Sequence, residues 1–476
     1  MIANLNSGHD ASRALSASEN DRWRKLCAGY LPVDPGNSIW RYSRAPGKDD
    51  PDQGWKLHIS ATILTANRVL EKIAPYLKGC GALFKAPRSL QELQKINSGL
   101  HYGYSQIGKF ITVYPKSDKE AVSLARHLHK LTRRMRAPAV PFDLRLQSDS
   151  CIYYRYGSFS HLEIENADGT CTPAMRGRDG ELVPDERYSE TAMPDWVANP
   201  FGREQPRARN SSVESPLKTT FRAFQALAQR GKGGVYKALD FSAHPPRLCI
   251  LKEGRSDGEI NWDERDGYWM VKHEEQVLAS LQAAGVEVPA VQSSFESQNN
   301  YYLVTEFIEG ESLQEFLVKR KRRLPVSRAL NYGIQLSALL SRIHSANWAW
   351  RDCKPANLIL TKDGKLRPVD FEGACRLEEH GSMIWSTPTF IPPEHKRGES
   401  QLSRKYDDLY ALGVVIYLLL TGQLPESSSQ VPVKKLRRNV PQKVCDLVEE
   451  LLHDDPRRRP GAQNIRRRLA AAISGM

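Results

Sequence analysis

Apolar and polar residues alternate in WKLHIS, Trp55 to Ser60, which predicts a strand. Its register sets Trp55, Leu57 and Ile59 on one face and Lys56, His58 and Ser60 on the other. A helix is predicted next, because Ile63, Leu64, Leu70, Ile73 and Leu77 form an apolar stripe that Gly79 and Gly81 end. The short run ALFK predicts a second strand that delivers Lys85. A third, KFITVYP, runs from Lys109 to a stop at Pro115. A helix from Lys116 to about Arg134 follows, and then two short strands, FDLRLQ and CIYYRYGSF, bring Arg145 and Arg155. This alternation predicts an α+β or α/β first domain. Upstream, residues 1 to about 20 are polar and rich in Ser, Ala and Asn, which predicts disorder or a frayed helix. Trp23, Leu26, Tyr30, Leu31, Ile39, Trp40 and Tyr42 stand among charges, a pattern that suits packing onto the domain or receiving a peptide. From Asn199 to about Leu217 the chain is rich in Pro, Ser and Arg and reads as a linker. The expected division is an extension (1–34), a first domain (35–205), a linker (206–216) and a second domain (217–476).

Composition narrows the function. At 476 residues the chain is too long for one ordinary core. A net charge of +13 predicts an anionic partner, such as nucleotide phosphates, phosphorylated side chains or an acidic peptide. No zinc-finger, RNA-recognition or helix-turn-helix signature accompanies that charge, so nucleic acid is not the expected partner. The basic run from Lys319 to Arg323 reads as a solvated helix face or, less expected, a docking site. Eight cysteines are scattered without a C-x-x-C pair, which argues against zinc and against a disulfide framework. The longest apolar run, Ala411 to Leu420, falls far short of the roughly 20 residues that span a bilayer. The N-terminus has no signal-peptide core, and the expected location is cytoplasmic, without a membrane span.

The second half carries a series of motifs. WRDCKPANL, Trp350 to Leu358, resembles the catalytic loop of protein kinases, H-R-D-L-K-P-x-N. On that match Asp352 accepts the proton of a substrate hydroxyl, Lys354 steadies the transferred phosphoryl group and Asn357 holds a metal ion. RGKGGVY resembles the Gly-rich loop over nucleotide phosphates, with Gly233 and Val235 in register and Gly231 a further candidate to approach the phosphates. Aligning Val235 leaves Arg230 and Ala228 at the family's other glycine positions. CILKEG supplies Lys252 as the phosphate-binding lysine, and EEQVL supplies Glu274 as its partner, with Glu275 a near rival. YLVTEFIEGESL resembles the hinge, where Glu306 and Ile308 offer backbone groups to the base. Asp370, in PVDFEGA, would bind magnesium. IPPE ending at Glu394, DLYALG from Asp408 and DPRRRP from Asp455 complete the order. The resemblance covers roughly 217–476 and implies a bilobal α+β kinase fold that uses ATP or GTP with Mg²⁺. Trp350 replaces the family's His and Glu372 its D-F-G glycine; neither change removes a catalytic group. Arg351 is placed to hold a phosphate on Ser386 or Thr387, or those hydroxyls only contact substrate or cap structure. Cys353 and Cys375, inside these motifs, read as packed residues rather than nucleophiles.

In the first half Lys56, His58, Lys85, Lys109, Arg145 and Arg155 recur on the predicted strands. They are either solvated charges on a sheet face or a cationic pocket, where clustered charge lowers a lysine's pKa and makes it a general base. GWKLHISAT, the later FK, GKFITVYP and PDWVANPF resemble the lyase domain of class III lanthipeptide synthetases, which is related to bacterial phosphothreonine lyases. The resemblance covers about residues 35–205 and implies an α+β lyase fold. It makes Lys85 the base and His58 the acid, in exchangeable roles, with Lys56 supporting them and Lys109, Arg145 and Arg155 binding phosphate. Together the two halves imply a peptide dehydratase. It would phosphorylate Ser or Thr of a leader-bearing precursor peptide, then eliminate the phosphate. No C-H-G motif of that family's cyclase occurs, so any rings would come from a separate cyclase protein. The alternative expectation is a signalling Ser/Thr kinase whose first domain regulates or reads phosphopeptides.

Overall fold

The computed structural model describes residues 6–160, 162–185, 193–202, 215–320, 322–379, 388–396, 403–425 and 431–476. Ser386, Thr387 and most of the expected linker lie outside them.

The chain opens with a long helix, α1 (Asn6–Tyr30), where disorder or fraying was expected up to about residue 20. The cause is at its C-terminal end: Trp23, Cys27 and the following Leu31 are buried at 1%, 1% and 0% exposure in the first domain's core. Packing there supports the polar turns before it. Asn67 Nδ2 adds bonds to the Glu19 carbonyl (2.9 Å) and to its carboxylate (2.6 Å).

The first domain's sheet comprises β1 (Trp40–Tyr42), β2 (Gln53–Ile59), β3 (Leu83–Pro87), β4 (Ile111–Tyr114), β5 (Leu144–Arg145) and β6 (Ile152–Ser158). Spatial order is β1-β3-β4-β2-β6-β5, and each of these pairings is antiparallel, which decides for α+β. Trp55, Leu57 and Ile59 join α2 (Ala66–Gly79) and α4 (Asp118–Thr132) in one core, on the face their alternation assigns them. The apolar stripe begins earlier than α2 does, because Thr62 and Thr65 close a turn on each other and leave Ile63 buried just before the helix. Two features carried no signal that was read from the sequence. One is α3 (Leu90–Ser98), capped by Ser89 and ended by Gly99 in the left-handed region. The other is a small sheet of β7 (Glu163–Glu165), β8 (Cys171–Arg176) and β9 (Leu182–Pro184).

After the four-residue α5 (Pro216–Thr219), the second domain begins with β10 (Phe221–Arg230), β11 (Gly233–Asp240) and β12 (Arg247–Gly254). With β13 (Val291–Ser297) and β14 (Asn300–Glu306) they form an antiparallel sheet in the order β10-β11-β12-β14-β13. Helix α6 (Gly267–Ala283) packs on this sheet. The second lobe is helical: α7 (Leu313–Val318), α8 (Val326–Ser345), α9 (Pro393–Lys396), α10 (Lys405–Thr421), α11 (Val433–Leu436), α12 (Gln442–Leu451) and α13 (Ala462–Ser474). The apolar run 411–420 lies in α10, whose buried residues cover all sides, as a central core helix requires. Among the described residues no helix is long and apolar enough to cross a membrane.

Trp23 also packs on Phe110, with ring centroids 5.4 Å apart. Trp23→Ala should therefore destabilise the first domain by about 3–5 kcal/mol, measured by urea denaturation.

Candidate active sites

In the second domain Lys252 sits in mid-sheet, with Val235 of β11 and Leu303 of β14 opposite it. Both oxygens of Glu274, on α6, accept from Lys252 Nζ at 2.7 Å. Glu275 instead takes the hydroxyls of Ser294 and Tyr301, which settles the choice of partner. Glu274 also accepts the Phe371 N–H at 2.9 Å, and Lys252 reaches Asp370 at 3.3 Å. Burial alone would discharge Lys252, but Asp370 and Glu274 outweigh it and keep the ammonium charged. Burial likewise pushes Asp370 up, yet Lys252, Lys232 and Lys354 hold its carboxyl below the ordinary range. Asp370 has φ +68°, a left-handed value seldom taken by residues other than glycine.

Asp352 Oδ2 accepts from Lys354 Nζ at 2.9 Å and Asn357 Nδ2 at 2.7 Å. Its Oδ1 is buried with no hydrogen-bond partner among the described residues. A buried acceptor left without a donor is unusual in a folded protein and calls for an explanation. Burial, then the charge of Asp370, raises the proton affinity of Asp352. Glu306 closes β14 with its side chain on Arg367 at 2.7 Å, and Ile308 follows two residues later, in the connection between the lobes.

The Gly-rich turn departs from expectation at one glycine. Gly233 has φ +154°, and a Cβ there would lie 1.7 Å from the Glu253 carbonyl oxygen, so glycine is required. The Gly231 N–H, expected to approach a phosphate, donates instead to the Ser98 carbonyl of the first domain at 3.0 Å. Lys232, between them, was not singled out from the sequence; it forms an ion pair with Glu372.

In the first domain, pairing register gathers the basic residues. Lys85 lies opposite Thr112, Thr112 opposite His58, His58 opposite Tyr153, and Tyr153 opposite Arg145. Directly opposed residues of antiparallel strands share a face, so this row crosses five strands on the side away from the apolar core. Lys56 and Arg155, opposite each other, stand two residues along on the same face. Lys85 and Arg145 each lie two strands, about 10 Å, from His58, on opposite sides. Lys85 Nζ lies 4.6 Å from the centroid of the Trp40 ring. Arg145 is exposed at the sheet edge and donates to the Ser150 carbonyl at 2.6 Å. Lys109 lies before β4 rather than on it, because its backbone N–H closes a turn on Gln106.

Two acids that the sequence reading passed over organise the cluster. Asp143, 0% exposed at its side chain, holds His58 Nδ1 at 2.5 Å and lies 3.4 Å from Lys109 Nζ. Asp185 takes Arg155 Nη2 at 2.5 Å. In FDLRLQ nothing local marks the aspartate; its tertiary contacts with His58 and Lys109 do.

A model of the family described as RamC, N-terminal domain, matches residues 33–213, and one described as protein kinase domain matches residues 230–468. The second match covers half of the chain. The chain belongs to the protein kinase family. The probable SapB synthase of Streptomyces coelicolor is 30% identical over 84% of this chain and 44% of its own length. A probable serine/threonine-protein kinase of Clostridium perfringens is 28% identical over 33% of this chain and 25% of its own. The serine/threonine-protein kinase PrkC of Bacillus subtilis is 29% identical over 37% of this chain and 30% of its own. The chain thus spans less than half the length of these relatives. A RamC-type domain ahead of a kinase domain, with the likeness to SapB synthase, bears out the resemblance to class III lanthipeptide synthetases.

The kinase domain's residues fit the nucleotide and Mg²⁺ that such a domain uses. Carboxylate oxygens of Glu274, Asp370 and Glu372 lie within 4.8 Å of one another, the oxygen chemistry a hard cation takes. Lys252 supplies a buried positive charge beside them. Both motif cysteines are buried, and burial pushes the Cys375 thiol up to about 11 and that of Cys353 well above its ordinary value, which suits packing.

Burial, with help from Lys109 and Lys56, lowers the His58 pKa from 6.5 to about 3 against the pull of Asp143. Burial opposes ionisation of Asp143, but Lys109, His58 and Arg155 outweigh it and hold the carboxylate charged. At neutral pH His58 is therefore an uncharged imidazole beside a carboxylate. Between its folded value near 3 and its ordinary 6.5, the unfolded chain binds a proton that the folded domain does not. Stability accordingly falls as pH falls through that window, by up to ~1.4 kcal/mol per pH unit. Urea denaturation from about pH 7 to pH 5 should show this slope, and His58→Gln should remove its share of it.

Proposed function

We propose that this protein is a peptide dehydratase that works in two steps. The kinase domain phosphorylates Ser or Thr of a precursor peptide, and the RamC-type domain then eliminates the phosphate. The observation that carries the reading is the cross-strand row of Lys85, His58 and Arg145 with Lys56 and Arg155 beside it, ordered by the buried Asp143.

In the first step the nucleotide supplies the γ-phosphoryl group and Mg²⁺ its charge neutralisation, with Asp370 and Asn357 as the metal-holding residues. Asp352 Oδ1 accepts the substrate hydroxyl's proton, while Lys354 and Asn357 fix the carboxylate through Oδ2. Lys252, oriented by Glu274, binds phosphate oxygens. Gly233, Val235, Glu306 and Ile308 shape the nucleotide pocket.

In the second step Lys85 removes the α-proton of the phosphorylated residue. Its electron pair forms the Cα–Cβ double bond as the Cβ–O bond to phosphate breaks. Lys56, Lys109 and Arg155 neutralise the departing phosphate, with Arg145 at the rim. His58 takes on the acid's part once phosphate binds, because the added negative charge raises the pKa that burial, with Lys109 and Lys56, depresses. Asp143 fixes the ring through Nδ1, leaving Nε2 to hand over the proton. The product is dehydroalanine or dehydrobutyrine.

A second reading, favoured by the kinase relatives, makes the protein a signalling Ser/Thr kinase with a phosphopeptide-reading first domain. A phosphoserine form of the precursor peptide, incubated without nucleotide and read by mass spectrometry, separates the two. Loss of phosphoric acid without gain of water is expected, and Lys85→Ala should leave the phosphopeptide intact. An unchanged phosphopeptide with the unmodified protein would sink the dehydratase reading. Asp352→Asn should lower phosphorylation by about 10²–10⁴-fold while sparing elimination from a ready-made phosphopeptide.

A further inference from the structure

The first domain touches the kinase domain at two elements that serve the nucleotide site. One is the Gly-rich turn. A Cβ on Gly231 would lie 1.7 Å from the Asn97 carbonyl oxygen, so only glycine allows the turn to sit against the end of α3. Arg255 holds the turn from its other side. Its backbone N–H donates to the Lys232 carbonyl at 2.8 Å and its Nη1 to the Arg230 carbonyl at 3.2 Å. The same guanidinium lies 5.3 Å from the centroid of the first domain's Tyr104 ring.

The other element is α6. The loop of residues 255–266 that leads into it puts Ile260, 4% exposed, into the first domain's apolar core, with Trp262 packed against that core. Arg136, just past α4, bonds Asp257 at 2.6 Å and lies 3.5 Å from Asp266 Oδ2. Asp266 is the N-cap of α6: its carboxylate accepts from the Trp269 N–H at 2.9 Å and from the Asp257 N–H at 2.8 Å. Glu274 stands on the same helix about two turns further on.

We infer that the first domain is a positioning element of the kinase. By seating Ile260 and pairing Arg136 with the start of α6, it fixes where that helix presents Glu274 to Lys252. Ile260 and Arg136 are then positioning residues, which govern nucleotide binding without touching nucleotide or substrate. The buried Lys252–Glu274 pair needs this precision, because an ion pair out of water offsets its desolvation only in good geometry. The inference rests on the kinase half of the proposed function and is independent of the lyase half.

The test uses the full chain and two readouts that need no peptide: affinity for a non-hydrolysable ATP analogue with Mg²⁺, and amide hydrogen exchange. Arg136→Glu and Ile260→Ser should each weaken the analogue by about fivefold or more, the scale of a typical coupling between sites. Exchange should quicken across 267–283 while β2, β4 and β6 keep the exchange of the unmodified protein. Arg136→Lys should restore most of both. Unchanged affinity and exchange in the two variants would overturn the inference. So would protection lost evenly through both domains, which is the mark of a merely structural role. Loss of phosphopeptide elimination would leave both readouts untouched, so failure of the lyase reading is told apart from failure here.

Discussion

Charge taken out of water must be paired where it lies, and both sites are arranged by that requirement. In the kinase domain the fixed point is Asp408, on the buried helix α10. Its carboxylate accepts the backbone N–H groups of Trp350 at 2.9 Å and Arg351 at 2.6 Å, and bonds His344 Nε2 at 2.9 Å. The catalytic loop is thus hung from the interior of the helical lobe, which sustains φ +66° at Arg351, a conformation that non-glycine residues adopt only when their surroundings enforce it. A second buried pair, Arg459 with Glu394 at 2.5 and 2.8 Å, ties the end of the activation segment to the closing arginine motif. Bidentate geometry makes such a pair strong as well as directional.

The two departures from the kinase pattern fit the same constraint. Trp350, in place of histidine, is fully buried, donates Nε1–H to the Asp370 carbonyl at 2.8 Å and stacks on Phe371 with ring centroids 5.3 Å apart. Glu372, in place of glycine, has no left-handed φ, so it does not need the conformational freedom that glycine would supply. Its charge is met by Lys232 from the Gly-rich turn. That contact joins the two segments that would flank the nucleotide phosphates and restrains the D-F-E segment in this arrangement.

What the sequence disclosed is what period and motif encode. Alternation at 55–60 assigned the apolar face of β2 correctly, and the kinase motifs lie in the order the fold requires. Register was not legible, because His58 pairs with residues 112 and 153, far along the chain, and no local pattern specifies which residue opposes which. Asp143 escaped notice for a related reason: it stands beside Phe142 at φ +64° in an irregular stretch, and its meaning comes only from His58 and Lys109 arriving from other elements. Helix α1 carries little apolar pattern of its own, because a polar helix can be held by the anchoring side chains Trp23, Cys27 and Leu31 at one end. The Ile260 contact resembles an ordinary loop in sequence, since Ile260 and Trp262, isolated among charged and polar residues, carry no periodic signal of a helix or long strand.

The two sites also differ in sign, and that difference has a consequence for the order of the proposed steps. The kinase site is rich in carboxylates, with Asp352, Asp370, Glu274 and Glu372 gathered around Lys252, Lys232 and Lys354. The sheet face of the first domain presents Lys56, Lys85 and Arg155 in register, with Lys109 nearby, and its nearest acids, Asp143 and Asp185, lie beside Lys109 and Arg155 respectively. A side chain that has just gained a phosphate has changed from neutral to strongly anionic. In the proposed sequence of steps such a side chain would be attracted to the basic face more than to a site where each carboxylate lies beside a lysine, so phosphorylation itself would favour the move between sites. In the proposed dehydratase, joining the domains would keep the anionic peptide at high effective concentration near its next site. Charge complementarity therefore gives the sequence of events a direction without any moving part.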